Sequence, residues 1–246
     1  MTDYDDDRHK DDNETIPSSK NVLELTVYVD NEIPEWTPDQ EEVLQKMSRY
    51  EGGILIKRDV IDTPDKMEAC LWYIQNNPRR ILWMMGINIH HIRSIMNVLR
   101  NTSINELSLA DNGLNPDETR EVFIMIEQIN NLGSISISAG DNNRNRSTYR
   151  MDDLVDLLSR NTSLRTVQIN DSDIVFERYG MTHADDLLDV LHTNNQLMKL
   201  ILHNNKSQSR EKSRQFVRRV LDVSHRETTD AFFINDLINL RYNREA

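Results

Sequence analysis

The stretch Ile104 to Leu114, INELSLADNGL, sets apolar residues and one asparagine in the order L-x-x-L-x-L-x-x-N-x-L. Leu107 and Leu109 stand two apart, so on a strand both point to one face. Ile104 and Leu114 close a core on either side of that strand. Asn112 is placed to turn its side-chain amide onto the backbone of the bend after it. A single strand of this kind cannot bury its apolar face alone, so the pattern demands further copies before and after it.

Those copies are present. The inward pairs read Leu25/Val27, Ile54/Ile56, Ile81/Trp83, Leu107/Leu109, Ile135/Ile137, Val167/Ile169 and Leu200/Leu202. Their successive intervals are 29, 27, 26, 28, 32 and 33 residues. The last two are longer, which predicts loop insertions within Gly140–Ser147 and around Asp171–Gly180. Helical patterns start between the strands, near Pro38, Pro64, Ile89, Pro116, Thr148, Thr182 and Ser207. Thr37-Pro38-Asp39, Thr63-Pro64-Asp65 and Asn115-Pro116-Asp117 each supply a cap, a first-turn proline and an acid in order. Stripes such as Val43, Leu44, Met47 and Ile95, Met96, Leu99 cover one side of a helix against a sheet. Asn76-Asn77, Asn101, Asn130-Asn131, Asn161 and Asn194-Asn195 sit just past the stripes. There a left-handed asparagine would close each helix.

The expected fold is α/β. It is a solenoid of about seven strand–helix units with a parallel sheet on its concave face and a C-terminal capping helix. The pattern resembles the ribonuclease-inhibitor type of leucine-rich repeat over about residues 22–222. Asn101–Leu114 and Asn161–Ile169 carry the resemblance, which implies a horseshoe. Thr229–Tyr242, with Phe232, Phe233, Leu237, Ile238 and Leu240, reads as a terminal helix over the open end. Residues 1–20 carry too much charge and too little apolar surface to order themselves, and read as an acidic disordered tail ahead of a domain spanning 21–246. A narrower resemblance lies beyond Leu197–Leu202, where Lys206, Arg210, Lys212, Arg214, Arg218 and Arg219 follow. This is similar to the basic helix that ends the tropomodulin repeat domain, and it implies actin as a partner and capping of filament pointed ends.

With 29 basic against 41 acidic residues the net charge is −12, which argues against nucleic acid or an anionic membrane as the main partner. Cys70 is the single cysteine, so no intramolecular disulfide can form, as in a reducing compartment. The first residues show no apolar signal region, and no run of 18 apolar residues occurs. A cytoplasmic protein is expected.

No catalytic, cofactor or metal constellation emerges. The glycines form no phosphate loop. His90 and His91 are adjacent and would diverge on a helix by about 100°. Cys70 falls on an apolar stripe as a buried thiol. Asp152-Asp153 and Asp185-Asp186 read as first-turn acids that meet a helix dipole. The surface is left to act.

Reading outward residues from the assumed pairs gives an apolar patch of Tyr28, Leu55, Leu82 and Met84, with Lys57 and Arg80 beside it. Arg214 and Arg218 on the basic helix form a second candidate surface. The expected function is a non-catalytic protein–protein interaction module, or scaffold. Actin-filament capping is the alternative from the tropomodulin resemblance. A substrate-recognition subunit of a ubiquitin ligase is a third, which would call for an F-box-like helical segment ahead of the repeats.

Overall fold

The computed structural model describes residues 35–50, 52–139, 145–203, 205–207 and 209–224. The strand expected at Leu25/Val27, the acidic segment 1–20, Tyr28 and the helix expected over Thr229–Tyr242 lie outside the described residues. In chain order the elements are α1 (Pro38–Ser48), β1 (Ile54–Lys57), α2 (Pro64–Asn76), β2 (Ile81–Met85), α3 (Ile89–Leu99), β3 (Glu106–Ala110), α4 (Pro116–Glu127) and β4 (Ser134–Ser138). There follow β5 (Thr148–Arg150), α5 (Met151–Arg160), β6 (Thr166–Asn170), β7 (Asp173–Val175), α6 (Gly180–Thr193), β8 (Lys199–His203), β9 (Lys206–Ser207) and α7 (Arg210–Ser224).

The strands β1, β2, β3, β4, β6 and β8 make one parallel sheet in that order, and each helix packs against the next along the row. This is the expected α/β solenoid. The caps act as the sequence implies. The Thr37 and Asn115 side chains accept from the backbone of Gln40 and Glu118, whose own side chains return the bond, and Thr63 accepts from Lys66. None of these helices is long and apolar enough to cross a membrane.

The inward pairs are buried as expected in β1, β3, β4 and β6. In β2 the alternation is the reverse of the expected one. Leu82 and Met84 are 0% exposed, while Ile81, Trp83 and Met85 are half-buried on the other side of the sheet. Leu82 stands opposite Ile54 and Leu107, and Met84 opposite Ile56 and Leu109. A slip of one residue carries every side chain of a strand to the other face.

The asparagines also differ in detail. Asn112 does not serve its own bend. Its Oδ1 accepts from Ile87 N at 2.9 Å and its Nδ2 donates to Met84 O at 3.2 Å, so it joins the preceding repeat. Asn205 repeats the device on Ser172 N and Ile169 O, both at 2.9 Å. At the helix ends, Asn77, Asn161 and Asn194 keep extended rather than left-handed backbones. Their Oδ1 atoms accept from the turn that follows, and Asn194 Nδ2 donates to Leu158 O at 2.6 Å in the helix before.

The two long intervals hold the first two strands of a second sheet, and its third strand follows β8. β5, β7 and β9 are parallel and bury Tyr149 and Ile174. They delay α5 and α7, which start three residues after the expected places. At the end, a Cβ on Gly180 would lie 1.8 Å from Lys212 O, so only glycine lets α6 and α7 meet so closely. Phe216 packs 5.4 Å from Phe176, and Lys212 Nζ donates to Phe176 O at 2.7 Å.

The register makes a direct expectation. Leu82→Ala should cost about 2–5 kcal/mol of stability, as a core truncation. Leu107→Asp should unfold the chain through buried charge, while Ser108→Asp on the open face should change stability by less than about 0.5 kcal/mol. Thermal melts check all three, and equal losses from Leu107→Asp and Ser108→Asp would refute the register.

Candidate functional site

The open face of the six-stranded sheet is set by the parallel register. Three rows cross it. The first holds Ile81, Glu106, Ser134, Thr166 and Lys199. The second holds Leu55, Trp83, Ser108, Ser136, Gln168 and Ile201. The third holds Lys57, Met85, Ala110, Ser138, Asn170 and His203. Neighbours in a row are about 4.8 Å apart. Bulky apolar side chains gather on β1 and β2, small polar ones follow on β3 and β4, and amides lead to Lys199, Ile201 and His203.

At the apolar pole the face sinks into a cavity of about 300 Å³, lined by Tyr50, Leu55, Trp83, Met85, Ser108, Ala110 and the buried Met84. Its shape depends on Gly53. A Cβ there would lie 2.7 Å from both Trp83 Cζ3 and Ile81 O, so the glycine is what lets the indole settle against β1. Lys57, opposite Met85, is exposed, and so is Arg80, one residue before β2. No hydrogen bond or ion pair reaches either side chain among the described residues.

Of the residues expected at the partner site, Leu55 lines this cavity and Lys57 stands opposite Met85 in the third row, while Arg80 lies one residue before β2, out of phase with the outward Ile81. Leu82 and Met84 belong to the core, because Ile54, Ile56, Leu107 and Leu109 fix the pleat of β2 between them. Trp83, Met85, Ile81 and Tyr50 take their place. A signal for this exists in the turn. Gly86 follows β2 with φ +66°, where Asp111 follows β3 at 58° and Asp171 follows β6 at 49°. Counting back from that left-handed residue gives Met84 and Leu82 as the inward pair. Arg214 and Arg218 are exposed on α7, away from this sheet. Other basic residues of the same helix hold it in place, Lys212 as above and Arg219 through Asp185 at 2.6 Å.

A second polar group lies between α5 and α6. Asp152, His183 and Asp186 bring ligand-type atoms within 4.8 Å of one another. They do not fit a metal. The Arg178 guanidinium already joins both carboxylates, reaching Asp186 at 2.7 Å. His183 Nε2 accepts from Arg178 N at 3.0 Å, which leaves the ring proton on Nδ1, 3.4 Å from Asp152 Oδ1. The pair Asp185-Asp186 sits beyond the first turn of α6, which starts at Gly180, so arginines rather than a helix dipole hold these acids. Elsewhere, burial pushes the Cys70 thiol up to about 12, and it is inert.

Burial lowers the His183 pKa below the ordinary imidazole value, against the pull of Asp152. His91 is lowered likewise, first by burial and then by His90. The unfolded chain therefore binds more protons than the folded one below about pH 6.5, and stability falls as pH drops through that value. Melting temperature should be flat from about pH 8 to pH 7 and decline toward pH 5.5. His183→Gln should reduce that decline, and an unchanged slope would assign it to other groups.

No protein-family model matches the chain, and no curated protein matches it. Among solved structures, a Caenorhabditis elegans tropomodulin C-terminal domain superposes with TM-score 0.43 at 15% identity, covering 65% of this chain and 94% of that one. A leiomodin-1 fragment described as actin-binding site 2 superposes with TM-score 0.42 at 13% identity, covering 79% of this chain and all of that one. These are likenesses to two solved domains, and no statement about this chain's partners rests on them.

Proposed function

We propose that the chain is a protein-binding module that acts through the open face of its sheet, without chemistry of its own, and that the basic helix α7 adds a weaker contact. One observation carries this reading. Beside middle strands that carry mostly serine, threonine and amides on this face, Tyr50, Leu55, Trp83 and Met85 form one apolar depression. Exposed apolar groups bounded by polar surface mark interaction sites, and aromatic residues and methionine are enriched in interfaces. Most binding energy comes from a few such anchors at the centre. The face is broad and the cavity small, at about 300 Å³, which suits a protein better than a small molecule.

The test is affinity capture from native extract with wild type, Met85→Arg and the pair Arg214→Glu, Arg218→Glu, each first shown to be folded. Actin, named in the leiomodin-1 description, is included as a purified candidate. Met85→Arg should lose the main partner. The α7 pair should weaken capture only at low salt, since exposed charges are screened. If Met85→Arg keeps every partner while the α7 variant loses them at physiological salt, the site is α7 and the reading fails.

A further inference from the structure

We propose that His183 is an acid-sensitive latch: when its ring is protonated, residues 176–179 let go of α6 and the basic helix α7 comes free. One bond sets the latch. His183 is fully buried, and its Nε2 accepts from Arg178 N at 3.0 Å. Nδ1 therefore holds the ring proton, 3.4 Å from Asp152 Oδ1. A protonated imidazole is a donor at both nitrogens, so no turn of the ring restores an acceptor. The Arg178 amide would then face a second N–H instead of a lone pair, and a buried donor that loses its partner is costly.

That amide belongs to the segment on which α7 is moored. Lys212 Nζ donates to Phe176 O at 2.7 Å and to Glu177 O at 3.1 Å. The Phe176 ring packs on His183, 5.5 Å away, and on Phe216 of α7, 5.4 Å away. Gly180, next after the segment, meets the Lys212 carbonyl so closely that a Cβ has no room. Four charged groups act on the ring: Asp152 from α5, Arg178 from the segment, Asp186 from α6 and Lys212 from α7. The two carboxylates favour a charged ring, and the two cations oppose it. Arg178 already joins both carboxylates, and burial weighs more than any of the four. Opening exposes the ring to water, where imidazole titrates near its ordinary value of about 6.5. The latch therefore holds fully above that value and weakens as pH falls through it, by up to about tenfold per pH unit. Phe216 and Val220 are buried on α7, one turn apart, and Lys212 and Arg219 flank them on the same side. Release would turn that apolar and basic stripe outward.

The test is backbone hydrogen exchange of the full chain at about pH 7.5 and about pH 5.5, corrected for intrinsic rates. Helix α4, which carries no histidine, is the reference. Protection of α7 should fall about fivefold or more relative to α4 on acidification. His183→Gln keeps an acceptor within reach of Arg178 N and does not titrate, so it should hold α7 protected at both pH values. His183→Phe removes the acceptor and should leave α7 weakly protected at both. If α4 and α7 lose protection in parallel, acid loosens the whole solenoid and the latch is overturned. It is overturned equally if α7 opens with acid in His183→Gln as it does in wild type. Should His183→Phe fail to fold, the comparison of wild type with His183→Gln decides alone. The measurement reads the helix and not a partner, so its failure would leave the open-face reading intact.

Discussion

A strand alternates its side chains between two faces, and in the main sheet that alternation is locked across all the described strands by one parallel register. Everything else depends on it. The inward set, from Ile54 and Ile56 to Leu202, meets the helices and forms one continuous core. The outward set becomes the candidate binding face. Because the period is two, no strand can be shifted to improve one face without ruining the other.

What holds the register is polar as much as apolar. Each turn of the solenoid leaves backbone groups at its bends, and a buried group without a partner is costly. Asparagine side chains meet this need between repeats. Asn112 and Asn205 bind bends at one end of the strands; at the other, Asn131 binds the turn before β3, and Asn161 and Asn194 bind helix ends. A side chain that both donates and accepts can bridge two repeats at once. A carboxylate accepts only and a lysine donates only, so neither could replace it.

The solenoid was legible in the sequence because β3, β4 and β6 alternate cleanly between apolar and small polar residues, and because proline and its caps mark three helix starts. β2 was not, for a physical reason. Ile81–Met85 is apolar at every position, so period two leaves no trace in it, and only the left-handed Gly86 marks the phase. The candidate site sits on that strand, which is why Leu82 and Met84 were exchanged for Trp83 and Met85. The second sheet was hidden as well. Its strands are two or three residues long, too short for any pattern; β5 and β7 showed only as lengthened spacing, and β9, beyond the last inward pair, left no mark. The ring of charges around Arg178 joins residues far apart in sequence and has no local mark.

Asn112 is followed by Gly113, which has φ +59° and no side chain to shield the peptide nitrogen between them. That dipeptide is the one in which an asparagine amide is most readily lost with age, by attack of the next backbone nitrogen on the side-chain carbonyl. The product would place a carboxylate oxygen where Nδ2 now donates to Met84 O. Two acceptors would then face each other at the seam between the repeats of β2 and β3. Chemical ageing of the protein thus has a natural starting point at the side chain bonded to Met84, the buried floor of its own cavity, and that bond acts as a clock as well as a joint.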